Sequence, residues 1–209
     1  YYQSLYDIPV ESNTYNSLAN VGADFVFPDI DSLVNTGTGE NYGIEMTVEK
    51  RYSKGFYLLS NVTLYNSTYT GGDGIKHNTA FNGKYTVNLL CGYEFKLNKK
   101  VSLEINGKVT FAGGKRYPKI DLEQSNIQGE TVIDPNSIYE LKYKDYFRAD
   151  LKIGLRVNGK KTTQLWAFDV QNITNRRNIF RLLYDQGSGE IKEEYQIGFF
   201  PVVLYKITF

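Results

Sequence analysis

The chain of 209 residues holds few of the side chains that usually mark a reactive site. Its single cysteine, Cys91, excludes an internal disulfide framework and a cysteine-based zinc site. Its single histidine, His77, lies between Lys76 and Asn78 and reads as a loop residue, with no histidine or cysteine cluster to make it a metal ligand or triad base. Charge of one sign is not in excess. Lys and Arg number 24 against 23 Asp and Glu, a net +1 that gives no electrostatic reason to expect nucleic acid as a partner. No segment approaches the roughly 20 apolar residues of a membrane-spanning helix. No signal peptide pattern opens the chain. Tyr1 to Tyr6 read as the inside of a strand, so the expectation is of a portion of a longer protein.

What is abundant is aromatic: 18 Tyr and 12 Phe, a load that favours strands and interfacial belts over helices. A mean hydropathy of −0.41 ordinarily describes a soluble chain. It is equally compatible with a membrane barrel, whose strands present only alternate residues to lipid.

Period-two alternation recurs along the chain. Ile44, Met46, Val48 and Tyr52 oppose Glu45, Thr47, Glu49 and Arg51. Val87, Leu89, Cys91, Tyr93, Phe95 and Leu97 oppose Asn88, Glu94 and Lys96. Leu103, Ile105, Val109 and Phe111 oppose Glu104, Asn106, Lys108 and Thr110. Ala149, Leu151, Ile153, Leu155 and Val157 oppose Arg148, Asp150, Lys152, Arg156 and Asn158. The last segment, Tyr195 to Phe209, reads as one long strand with an unbroken apolar face ending on an aromatic. With Tyr1–Ile8, Phe56–Thr68 and Thr162–Thr174, the pattern predicts about eight strands.

The connections alternate in length. Short links at Ser53–Gly55, Asn98–Lys99 and Gly159–Lys161 contrast with long ones at Pro9–Gly39, Tyr69–Phe81, Gly113–Lys142 and Asn175–Glu190. The long ones carry turn chemistry such as Gly71–Gly74 and show no helical pattern. Alternation alone leaves open a soluble barrel with its apolar face inside. Strand length, aromatic residues near strand ends and loops long at one rim only favour lipid outside and water inside, as in an up-and-down transmembrane barrel.

Three stretches then point to a family. Asn41–Tyr52 with Gly55–Tyr65 resembles a late hairpin of TonB-dependent outer-membrane receptors of the Bacteroidota type. The run from Asp169 through Asn172, Thr174 and Asn175 to Asn178 is similar to a stretch near the end of their barrels, and Pro201–Phe209 resembles their closing strand. The resemblance implies an all-β, antiparallel fold in which residues 1–209 form the last part of a barrel of about 22 strands, with an N-terminal plug and earlier strands outside this chain. It implies a bacterial outer-membrane location and TonB-energised uptake of a scarce nutrient: siderophore, cobalamin, glycan or peptide. The TonB system would act through the plug, so this segment alone would not transport. The Asp169–Asn178 run would be structural. Tyr205, Ile207 and Phe209 would carry the signal read by the barrel-assembly machinery.

Candidate ligand contacts lie on the long connections. Arg116 and Tyr117, after Gly113, Gly114 and Lys115, can meet an anionic or sugar-like ligand by charge-assisted bonds and ring stacking; the alternative is a solvated rim charge beside an interfacial tyrosine. Arg176 and Arg177, with Arg181, form a second basic patch, suited to a ligand or to the phosphates of lipopolysaccharide. Strand carboxylates alternate with basic residues rather than pairing about a cleft, so no enzyme, cofactor or metal is expected. Two other readings remain: a complete eight-stranded outer-membrane barrel serving as adhesin or structural protein, and a soluble ligand-binding barrel.

Overall fold

The computed structural model describes residues 1–23 and 32–209; the centre of the Pro9–Gly39 connection lies outside the described residues. In chain order the strands are β1 (Tyr2–Glu11), β2 (Leu33–Ser53), β3 (Phe56–Thr70), β4 (Lys76–Asn78), β5 (Tyr85–Lys96), β6 (Val101–Ala112) and β7 (Arg116–Tyr117). After helix α1 (Leu122–Gln128) come β8 (Leu141–Lys142), β9 (Tyr146–Asn158), β10 (Thr163–Gln171), β11 (Ile179–Asp185), β12 (Glu190–Tyr195) and β13 (Phe200–Thr208). The principal sheet runs β1-β2-β3-β5-β6-β9-β10-β13, with β4 attached to β3. Neighbours are antiparallel throughout, an up-and-down meander. The eight strands along this path are those anticipated from alternation. The sheet is open: β1 and β13 are its two edges and do not pair with each other.

The tight links form as their residues dictate. Ser53 pairs with Phe56 across Lys54 and Gly55, both at positive φ, the arrangement that matches the twist of a two-residue hairpin. Asn98 Oδ1 accepts from Lys100 N at 2.8 Å and Val101 N at 2.9 Å, a side-chain turn that starts β6.

Register aligns the alternating apolar rows of the eight principal strands on one face. Met46 stands opposite Val62, Val62 opposite Val87, Val87 opposite Phe111 and Phe111 opposite Phe147. A second row crosses from Phe95 through Leu103 and Leu155 to Trp166 and Tyr205. This face is uncovered: Ile44 is 74% exposed, Trp166 52% and Val203 79%. From Tyr85 to Phe95 the apolar row of β5 spans ten residue steps, about 33 Å along the strand.

The opposite face is polar and internally bonded. Arg156 meets Glu104 at 2.5 Å, Tyr57 Oη donates to Asn106 Oδ1 at 2.7 Å, and Asn61 Nδ2 donates to Glu45 Oε1 at 2.6 Å. Among the described residues few apolar side chains are buried, and most lie away from the sheet's central faces, in the connections (Ala80, Ile120, Ile138 and Tyr143) or at the rim ends of β1 and β3 (Val10 and Tyr69).

Three expectations are corrected. The Pro9–Gly39 connection is shorter than its composition implied, because β2 begins at Leu33 and pairs Gly37 with Ile8 and Gly39 with Leu5. A Cβ at Gly37 would stand 2.4 Å from Val10 Cγ1, so glycine serves there for close approach rather than for a turn. The long connections also contain structure. Asp121 Oδ1 caps α1 by accepting from Gln124 N at 3.0 Å and Gly129 closes it, while β11 and β12 form a separate ribbon. Finally, the closing strand is not continuous from Tyr195. That residue ends β12 opposite Ile179, and Phe199 N is held by Asn175 Oδ1 at 3.0 Å before β13 begins. Pro201, which has no N–H, sits acceptably in this edge strand.

Candidate functional site at the long-loop rim

The connections at one end of the sheet pack on one another, and asparagine side chains do much of the joining. Asn82, fully buried, accepts from Ser67 N at 3.1 Å and donates to Asn66 Oδ1 at 3.2 Å and Asn78 Oδ1 at 2.8 Å. In the Asp169–Asn178 run, Asn172 adopts a left-handed conformation and folds the turn. Its Oδ1 accepts from Arg176 N at 3.2 Å, and its Nδ2 donates to Arg176 O at 3.0 Å. Asn178 reaches back to β9, accepting from Phe147 N at 3.1 Å and donating to Phe147 O at 2.9 Å. The run therefore terminates β10 and ties the following segment to both β9 and the start of β13.

The anticipated ligand residues are engaged within this cap. Arg116 is half-buried; Nε donates to Asn82 O at 3.2 Å and Nη1 to Tyr139 O at 3.2 Å and Glu140 O at 2.9 Å. Tyr117 stacks on Tyr143 with ring centroids 4.2 Å apart and planes 14° from parallel. Arg176 Nη2 donates to Asp145 O at 2.9 Å, and the Arg177 guanidinium lies 5.6 Å from the centre of the Tyr195 ring. Arg116 and Arg176 thus hold the two ends of the Tyr139–Asp145 segment, and the four residues do not converge on one cleft. At the other rim Tyr205 lies against Trp166 with centroids 4.2 Å apart, Ile207 faces Gln164, and Phe209 is 92% exposed beyond the last ladder residue.

Asp145 is the electrostatic hinge of the cap. Its carboxylate accepts from Tyr85 Oη at 2.6 Å, meets Lys142 Nζ at 2.9 Å and accepts from Gly114 N at 3.1 Å. The Tyr85 bond first, then Lys142, hold its pKa down to about 2. Tyr69, almost wholly buried, donates from Oη to Tyr15 O at 2.9 Å.

A concavity of about 660 Å³ opens on the polar side of the sheet beneath this cap. Phe81, Tyr146, Phe180 and Tyr195 line it, with Lys115 and Arg148 among them. The Arg148 guanidinium is on Asp150 at 2.7 Å, and Lys115 donates to Ala23 O with its ammonium 5.8 Å from the Phe180 ring centre. Its size and its mix of aromatic wall and cations suit a ligand with an apolar or planar body and an anionic group. Sequence reasoning did not find this set. Tyr146 and Arg148 share the polar parity of β9, but the other lining residues come from separate connections that only the fold brings together.

No protein-family model, curated protein or solved structure matches the chain.

Proposed function

We propose that the chain is the C-terminal portion of the transmembrane barrel of a TonB-dependent outer-membrane receptor, serving energised uptake of a scarce nutrient. The observation that carries this reading is the uncovered apolar face shared by the eight long strands. Exposed side chains on this face include Ile44, Met46, Leu64, Trp166, Phe168 and Val203. At about 1 kcal/mol for each half-exposed side chain, the face as a whole leaves on the order of 10 kcal/mol or more of burial unrealised, as much as a whole domain's folding free energy. Hydrocarbon is the solvent that realises it, and an apolar row about 33 Å long would stand about 25 Å tall at the ~40° tilt of membrane barrels, the height of their outward band. Open edges at β1 and β13 call for further strands, which the larger barrel supplies and an eight-stranded one does not.

On this reading the polar face lines the lumen and the long connections form the outer cap. The concavity beneath them would receive the nutrient, with the TonB system acting through a plug and the assembly machinery reading Tyr205, Ile207 and Phe209. The test is deletion of the full-length gene in its host, followed by growth on single sources of siderophore iron, cobalamin, glycan or peptide at low concentration. Loss of growth on one source, reproduced by inactivating TonB, supports the reading. Growth on every source, with the product recovered in the soluble fraction, refutes it.

A further inference from the structure

The ribbon of β11 and β12 stands apart from the principal sheet, and its two edges are finished differently. Along β11 the outward N–H groups are taken by side chains: Leu182 N donates to Tyr143 Oη at 3.2 Å and Tyr184 N to Thr131 Oγ1 at 3.1 Å. Those bonds fix the phase of the ladder. Leu182 and Tyr184 turn their N–H groups away from β12, so the residues opposite them, Glu193 and Ile191, turn theirs away from β11. Gln196 N, which donates to Asn178 O at 2.8 Å, continues this phase and leaves Tyr195 facing outward. Ile191, Glu193 and Tyr195 are all exposed, and among the described residues nothing bonds their outward N–H and C=O groups. The outer edge of β12 is an open row of donors and acceptors, the template to which an extended chain adds as a further strand.

Side chains along this edge define the chain that fits it. Glu194 is paired with Arg181 and Lys192 with Asp185. Among the described residues Glu190 and Glu193 have no cationic partner; Glu193 receives only the Tyr195 hydroxyl. Glu190 stands on one face of the ribbon and Glu193, with Ile191 and Tyr195, on the other. An added strand places its side chains on the same two faces, so cations suit the carboxylates and apolar groups suit Ile191 and Tyr195. The edge also leads into the concavity of about 660 Å³ beneath the cap, because Tyr195, Gln196 and Ile197 line it.

Resting on the uptake reading above, we propose that the open edge of β12 is a strand-addition site and that the nutrient it receives is an extended peptide carrying basic side chains. Main-chain bonds to Ile191, Glu193 and Tyr195 hold the peptide, while Glu190 and Glu193 favour lysine or arginine beside them. The peptide's terminal carboxylate supplies the anionic group that the concavity suits.

The full-length protein is purified in detergent and titrated with a heptapeptide of alternating lysine and valine with a free carboxyl terminus. Its counterpart N-methylated at three consecutive central residues keeps every side chain but cannot pair in either register. The unmodified peptide is expected to bind, and the methylated one at least about tenfold more weakly. Ile191→Pro, which removes an outward N–H and no ladder bond, is expected to lower affinity about fivefold. Glu190→Gln combined with Glu193→Gln is expected to cost about fivefold for the lysine peptide and nothing for one with norleucine in place of lysine. Equal affinity for the methylated and unmodified peptides, or an unaltered double variant, overturns the proposal. If no peptide binds while gene deletion abolishes growth on another nutrient, this inference alone fails. If the peptide binds with the expected pattern while deletion spares growth on every source, the uptake reading fails, and with it the peptide's role as nutrient, and the strand-addition site stands.

Discussion

Replacing Asn178 by alanine tests how the outer cap is fastened to the sheet. Strand β10 ends at Gln171, so the upper part of β9 loses its neighbour on that side. The Asn178 amide substitutes for it, accepting from Phe147 N at 3.1 Å and donating to Phe147 O at 2.9 Å, in surroundings that leave Asn178 6% exposed. Two hydrogen bonds at about 1 kcal/mol each, plus part of the penalty for leaving the Phe147 groups unpaired, put the loss at about 2–4 kcal/mol. Locally this is an opening free energy, so amide exchange at Phe147 should accelerate by at least about thirtyfold. Asn178→Asp should fall between wild type and alanine in bonding but add repulsion, because a carboxylate still accepts from Phe147 N and faces the Phe147 carbonyl. The assay is hydrogen exchange of the reconstituted protein, read by mass spectrometry on peptides covering Tyr143–Leu151. Exchange at Phe147 unchanged in Asn178→Ala would refute the argument that this side chain stands in for a missing strand.

Three shorter predictions concern the rest of the chain. Asp145 has its folded pKa depressed to about 2 from an ordinary 3.8, so its tie to Tyr85 and Lys142 is fully present above about pH 4 and is lost as pH falls through about 2. Protease cleavage within Gly113–Tyr143 should rise over that window in the wild type, and Asp145→Asn should remove this pH dependence. Gly113→Ala would place a Cβ 1.7 Å from Gly83 O, a backbone atom with nowhere to go; the variant should show reduced heat-resistant folded protein on gels, and a wild-type level would contradict the close approach. On the proposed outer-membrane barrel reading, removing Phe209, which makes no ladder contact, should lower membrane assembly of the full-length protein while leaving the detergent-refolded protein as stable as before; unchanged assembly counts against the terminal signal.

Much of the sheet was legible because one physical rule generates it. Side chains alternate across a strand, and Leu103, Ile105, Val109 and Phe111 needed no tertiary knowledge to be assigned to one face. The same rule explains the misjoined end of the chain. Tyr195, Ile197 and Phe199 continue the parity of Pro201, and parity cannot register a break made by Asn175, which seizes the Phe199 amide from 24 residues upstream. Gly37 and Gly39 misled in another way: their composition is that of a turn, while their use is to let β1 side chains approach the β2 backbone. At the rim, Arg116 and Arg176 stood out as basic residues on long connections. Their actual partners, carbonyls at Tyr139, Glu140 and Asp145, have no residue-type signature. Main-chain acceptors are chosen by the path of the backbone, and so the cap, with the concavity beneath it, became readable only once folded.

The account turns on which face of the sheet meets lipid, and the chain supplies its own probe. Cys91, the sole cysteine, lies on the apolar face of β5 opposite Leu58 and Gly107, while its neighbour Leu90 points to the polar side opposite Leu59 and Lys108. An environment-sensitive fluorophore is attached at Cys91, and in parallel at position 90 of a Leu90→Cys, Cys91→Ala variant, each protein in vesicles with brominated acyl chains. The account predicts strong quenching at position 91 and little at position 90, with the order reversed for a water-soluble quencher. Equal quenching at the two positions, or bromine quenching confined to position 90, would contradict it.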